Sequence, residues 1–166
     1  MRRVGVAALA AAACLAAILP VATAARGPSR PFKASIHAFA NPDFPTPPED
    51  PCVVSNTEHG TLQATHLGRS AWESTESVNV CSNPEGADVA GRFTIVSASG
   101  DRLFGTYETL AHFDFPNDEI TFSGQYTIAG GTGRFQGASG GGSIEGSGTL
   151  SAPFDVFGRM TGRLTY

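Results

Sequence analysis

Charge is scarce in this chain. Asp, Glu, Lys and Arg make up 16% of its 166 residues, against about a quarter in an average globular domain. Positive charge is scarcer still, at 11 Lys and Arg against 15 Asp and Glu, so there is no basic footprint for nucleic acid. Cysteine occurs three times and never as a C-x-x-C pair, which excludes a thioredoxin-like motif and a zinc knuckle. No segment sustains the period of an amphipathic helix. G-x-S-x-G is absent, and no G-K-S/T follows the glycine-rich stretch, so neither a hydrolase nucleophile elbow nor a phosphate loop is indicated. With 41% hydrophobic residues, the chain is too apolar for wholesale disorder.

There is a single long apolar run, Val4 to Leu19, and it has the layout of an export signal. Arg2 and Arg3 precede it, Pro20 ends it, and Ala22-Thr23-Ala24 is a small-x-small cleavage site. The alternative, an N-terminal membrane anchor, needs about 20 apolar residues, and this run has 16. Residues 1–24 are therefore read as a signal peptide, and the protein as secreted or periplasmic. Cleavage after Ala24 leaves 142 residues, room for one domain. It removes Cys14, so Cys52 and Cys81 remain. In an oxidising compartment these two most simply form one disulfide, the alternative being two free thiols.

Residues 25–59 open with an extended stretch at 32–39 and continue into a segment holding Pro42, Pro45, Pro47, Pro48 and Pro51. Proline cannot donate to a ladder, so 41–51 reads as a surface loop. Glu58 and His59 are placed in the loop that follows. From 60 to 166 the side chains alternate apolar and polar with the period of a strand, most cleanly where Ile120, Phe122, Gly124, Tyr126 and Ile128 interleave with Thr121, Ser123, Gln125 and Thr127. Turn residues punctuate the alternation and give eight strands: 32–39, 60–67, 70–81, 88–98, 102–112, 119–129, 139–150 and 154–166. Eight antiparallel strands can close on themselves. The expected fold is all-β, an eight-stranded antiparallel barrel with core 60–166, ahead of a two-sheet sandwich.

Gly130-Gly131-Thr132-Gly133-Arg134-Phe135-Gln136-Gly137-Ala138-Ser139-Gly140 resembles the glycine-rich segment of the allene oxide cyclase and dirigent proteins. Thr65-His66-Leu67-Gly68-Arg69, Ser99-Gly100-Asp101 and the run ending at Tyr166 look like bacterial exported members of that superfamily. The resemblance covers about residues 60–166. It implies a calycin-like barrel with an apolar lumen, no metal or redox cofactor, and a tendency to oligomerise. It also implies ligands that are lipid-derived or phenolic, which enzymes of the family cyclise or couple. The family's catalytic groups have no match at positions of this chain. Mechanically, Gly131 and Gly133 are expected to supply positive φ at a hairpin, with Phe135 plugging the barrel end.

Strand parity places Trp72, Phe93, Tyr107, Phe122 and Tyr126 on the inward face as candidate ligand-lining residues. Two ionisable groups share that parity, Glu76 and His66. A carboxylate in an apolar lumen has a raised pKa and suits general acid–base work, so these two are the candidate catalytic residues. A one-residue slip would turn either outward. His112 and Asp114 have the spacing of a metal pair but stand alone, so no metal site is expected. Three functional classes follow: a barrel binding a small apolar or aromatic molecule, a cofactor-free cyclase or isomerase using the same lumen, and a purely structural role if aromatic rings fill the lumen. An eight-stranded outer-membrane barrel is a further alternative, since apolar-out and apolar-in strands alternate alike. No nucleic-acid partner and no stable membrane insertion are expected.

Overall fold

The computed structural model describes residues 27–45, 50–84 and 86–166. The signal peptide read at 1–24 lies outside the described residues. Eight strands make up nearly all of the structure: β1 (Arg30–Asp43), β2 (Val53–Ala64), β3 (Gly68–Asn83), β4 (Gly86–Ser97), β5 (Arg102–Asp114), β6 (Glu119–Gly131), β7 (Ser139–Thr149) and β8 (Asp155–Thr165). Each pairs antiparallel with the next and β8 pairs with β1, so the sheet closes into a barrel. Closure gives both faces of every strand a defined environment and removes the sheet's edges.

Alternation sets which side chains point in. On β1, Phe32, Ala34, Ile36 and Ala38 are buried while Lys33, Ser35 and His37 face out; on β4, Ala87, Val89, Phe93 and Ile95 are buried while Asp88, Ala90 and Arg92 face out. Elsewhere the outer surface carries Glu73 and Thr75 on β3, Thr121, Ser123, Gln125 and Thr127 on β6, and Arg159, Thr161 and Arg163 on β8, all exposed. A membrane-spanning barrel needs an apolar outer band. Here the buried apolar face is the inner one, and the outer face of these strands carries polar and charged side chains. Among the described residues, no helix is long and apolar enough to cross a membrane.

The strands begin and end differently from expectation near the N-terminal half. β1 runs on through Pro42, which sequence reading placed in a loop. The β1–β8 ladder ends at Phe39 and Asp155, so at Pro42 the strand has only β2 beside it. A residue without an N–H is tolerated where one side of the strand is unpaired. β2 begins at Val53, well before residue 60, so β1 and the whole of β2 are staves of the same barrel.

One end of the barrel is closed. The glycine-rich segment leaves β6 and forms a single 3-10 turn, Gly133–Phe135, whose Phe135 ring is fully buried in the barrel end. The left-handed positions are Gly133 (φ 60°) and Gly137 (φ 76°). Gly131, expected to supply one of them, is instead the last residue of β6. The other end is the mouth, bordered by Phe44, the turn Phe115–Asn117 and the β7–β8 connection. There Cys52 and Cys81 are joined, with Cα atoms 5.2 Å apart, and the Val80 N–H donates to the Cys52 carbonyl at 2.9 Å. The bridge ties the approach to β2 to the mouth end of β3. The unreduced, denatured protein is therefore expected to take up no alkylating reagent at these positions, read by intact mass. Modification of both thiols before reduction would refute the bridge.

Candidate functional site

The lumen is packed in one half and open in the other. In the packed half, the Trp72 ring stacks on Phe93 with centroids 5.4 Å apart, Phe93 meets Tyr126 edge-on at 6.5 Å, and Tyr126 meets Phe32 at 6.2 Å. Aromatic rings this large fit inside an eight-stranded barrel because glycines face them. A Cβ on Gly91 would fall within the Tyr107 ring, and one on Gly105 would approach the Phe93 ring to 2.8 Å. This explains why the apolar face of the chain is so rich in glycine: bulk on one strand is matched by its absence on the next. Gly91→Ala is expected to destabilise the barrel by about 1–3 kcal/mol through overpacking. Urea unfolding tests this, and an unchanged midpoint would mean that Tyr107 has room to move.

Above the aromatic floor, a cavity of about 370 Å³ opens at the mouth. Its walls are apolar, with Ile36, Val54, Val78, Val89, Phe113 and Phe122 among them, and Phe44, Phe115 and Phe154 line it as well. Its polar groups are concentrated on β2, β3 and β5. Glu58 is 7% exposed, and its Oε2 accepts from the Trp72 indole N–H at 2.9 Å and from the Ser74 hydroxyl at 2.9 Å. Glu76 accepts from the Asn56 amide at 2.7 Å and from the Tyr107 hydroxyl at 2.5 Å. Tyr107 also lies 3.4 Å from the Ser74 hydroxyl. Register explains the cluster. Asn56 pairs with Glu76 and Glu58 with Ser74 across β2 and β3, while Glu76, Gly91 and Tyr107 follow one another across β3, β4 and β5. Gly91 lets the tyrosine reach over β4 to the carboxylate.

Burial pushes the Glu58 carboxyl up to about 7, and repulsion from Glu76 adds to it, against the lowering effect of the Trp72 and Ser74 hydrogen bonds. The Tyr107 phenol is driven upward by burial and then by the two carboxylates, so it stays protonated and serves as a donor. Burial likewise pushes Tyr126 up to about 12. The site therefore holds a carboxyl that changes charge near neutrality, beside a second carboxyl and a fixed donor. Such an arrangement can exchange a proton with a bound molecule or bind a donor group.

The structure brings together four of the residues singled out from sequence. Glu76, Trp72, Tyr107 and Phe122 line the cavity. Phe93 and Tyr126 point inward but sit in the packed half, where they support the floor rather than line the opening. His66 is elsewhere. β2 ends at Ala64, and the chain turns through a left-handed residue at His66 (φ 69°) before the alternation can carry it inward. Its Nε2 lies 2.9 Å from the Pro31 carbonyl, and its ring is 5.8 Å from Tyr166, at the closed end. Sequence reasoning missed Glu58 and Asn56. The signal was present, since both share the parity of Leu62 and Ala64 through Gly60.

Comparison with protein-family models and with curated proteins finds no match for this chain, so the reading of the site rests on its geometry.

Proposed function

We propose that this protein binds a small, largely apolar or aromatic molecule in the mouth half of its barrel, and that it is an exported member of the allene oxide cyclase and dirigent-like superfamily. The observation that carries the ligand reading is the cavity of about 370 Å³, apolar along its walls and polar at one cluster. That is the composition of sites that take small organic ligands. The family reading is supported by the glycine-rich segment, whose turn delivers Phe135 as an end plug, and by the eight-stranded closed barrel. The Cys52–Cys81 bridge suits an oxidising compartment.

The test uses Trp72, the only tryptophan in the chain. It lines the cavity and is 2% exposed. Titration with an apolar aromatic probe is expected to change its emission saturably, and mass spectrometry of the natively purified protein is expected to detect a copurifying organic molecule. Emission indifferent to every apolar probe, with no copurifying molecule, would overturn the reading. A second reading, cofactor-free proton-transfer catalysis such as isomerisation or cyclisation, is favoured by Glu58, whose carboxyl titrates near neutrality inside the cavity. It predicts that the copurifying molecule is turned over and that Glu58→Gln abolishes turnover while leaving binding intact.

A further inference from the structure

We propose that the cavity's ligand carries an ammonium group, seated on Asn56, Glu58 and Glu76, with its apolar or aromatic body against the walls. The inference rests on the ligand-binding reading above and narrows it to a chemical class, an amphiphilic amine.

Two features of the polar cluster select this class. The first is charge. Among the described residues, the cavity is lined by two Glu and by no Lys, Arg or His. A ligand carboxylate would meet repulsion there with nothing to offset it, whereas a cation would meet attraction strengthened by the apolar surroundings. The second is the direction of the hydrogen bonds. The indole N–H of Trp72 and the hydroxyl of Ser74 are committed to Glu58, and one N–H of the Asn56 amide and the Tyr107 hydroxyl to Glu76. Acceptors are left over. Asn56 is 9% exposed, and its Oδ1 is buried with no donor. Both hydrogen bonds to Glu58 fall on Oε2. A buried acceptor without a donor is a standing cost that a ligand N–H can remove. An ammonium offers three donors and a charge, an alcohol one donor and no charge, and a carboxylate no donor at all.

The pH dependence follows from the groups that face Glu58. On β3 these are Trp72, Ser74 and Glu76, and on β5 Tyr107. On β1 the residue in register is Ala40, which does not titrate. Tyr107 stays neutral, so Glu58 and Glu76 set the charge of the floor. As pH rises through about 7, Glu58 gives up its proton, and the attraction for an ammonium grows more than that for an uncharged alcohol.

Isothermal titration of the whole protein with phenylpropylamine, phenylpropanol and phenylpropanoate tests this, because the three share one apolar body. The amine is expected to bind at least about tenfold more tightly than the alcohol, and the carboxylate more weakly than either. The amine's advantage should widen as pH rises through about 7, and Glu58→Gln should remove that widening. Alcohol binding as tight as the amine, or carboxylate binding tighter, would overturn the ammonium assignment and leave the apolar-ligand reading standing. Failure of all three to bind or to change Trp72 emission would overturn both. The ligand series on the unaltered protein decides the matter even if the variant fails to fold.

Discussion

Phe135→Ala is expected to lower the unfolding free energy by about 3–5 kcal/mol, the range for emptying a fully buried phenylalanine site. The side chain has no solvent exposure and little freedom to be replaced by collapse. Its backbone is held on both sides, the Phe135 N–H donating to the Thr132 carbonyl at 3.1 Å and the Ala138 N–H to the Phe135 carbonyl at 2.9 Å. Tyr166 packs edge-on against the ring with centroids 4.9 Å apart, and the Arg134 guanidinium lies 4.7 Å from its centroid. Because the turn that carries Phe135 is anchored through its own hydrogen bonds, the neighbours can fill only part of the void. Urea unfolding should give a lower midpoint with an unchanged slope, since the surface exposed on unfolding is nearly the same. Ligand titration through Trp72 should be unaffected, because Trp72, Phe93 and Tyr126 separate the plug from the cavity. A loss below about 1 kcal/mol would mean that the closed end is not part of the cooperative core.

The barrel was legible because alternation is a direct consequence of having one buried face. Where Ile120, Phe122, Tyr126 and Ile128 interleave with hydroxyls and Gln125, no other element could bury the apolar set. The same logic placed Trp72, Glu76 and Tyr107 inward. Parity says which face a residue occupies and nothing about its height along the barrel axis. The stagger between strands sets that height, and so Phe93 and Tyr126 fell in the packed half while Tyr107 and Phe122 lined the opening. His66 was misplaced for a related reason: alternation holds only while the strand continues, and β2 stops two residues earlier, at Ala64. Glu58 and Asn56 were hidden by their neighbourhood. Ser55, Asn56, Thr57 and Glu58 read as a polar loop after a proline-rich segment, because a carboxylate and an amide on an inward face contradict the usual pattern. Departures of this kind are expected where a chain builds a site into its core.

Glu58 gives the second large effect. Its folded carboxyl is held at about 7 against an ordinary 4.5, so between these pH values the folded state keeps a proton that the unfolded state has lost. Stability therefore falls as pH rises through this window. Below it both states are protonated and the cost is absent; above it both are ionised and the cost is complete, at about 3 kcal/mol. Gln cannot ionise, yet its carbonyl can still accept from Trp72 and Ser74. Compared across pH by urea unfolding, Glu58→Gln should gain on the unaltered protein by about 3 kcal/mol between about pH 4.5 and pH 8, which cancels the contributions of the carboxylates the two proteins share. Parallel stability curves would show that Glu58 ionises as freely in the folded barrel as in the unfolded chain, and would remove the widening of the amine's advantage as pH rises through about 7. A full gain would show that the barrel carries an ionised glutamate at neutral pH against its own stability. A cation arriving from outside would relieve that cost, so saturating amine should flatten the pH dependence of the unaltered protein and leave that of Glu58→Gln unchanged.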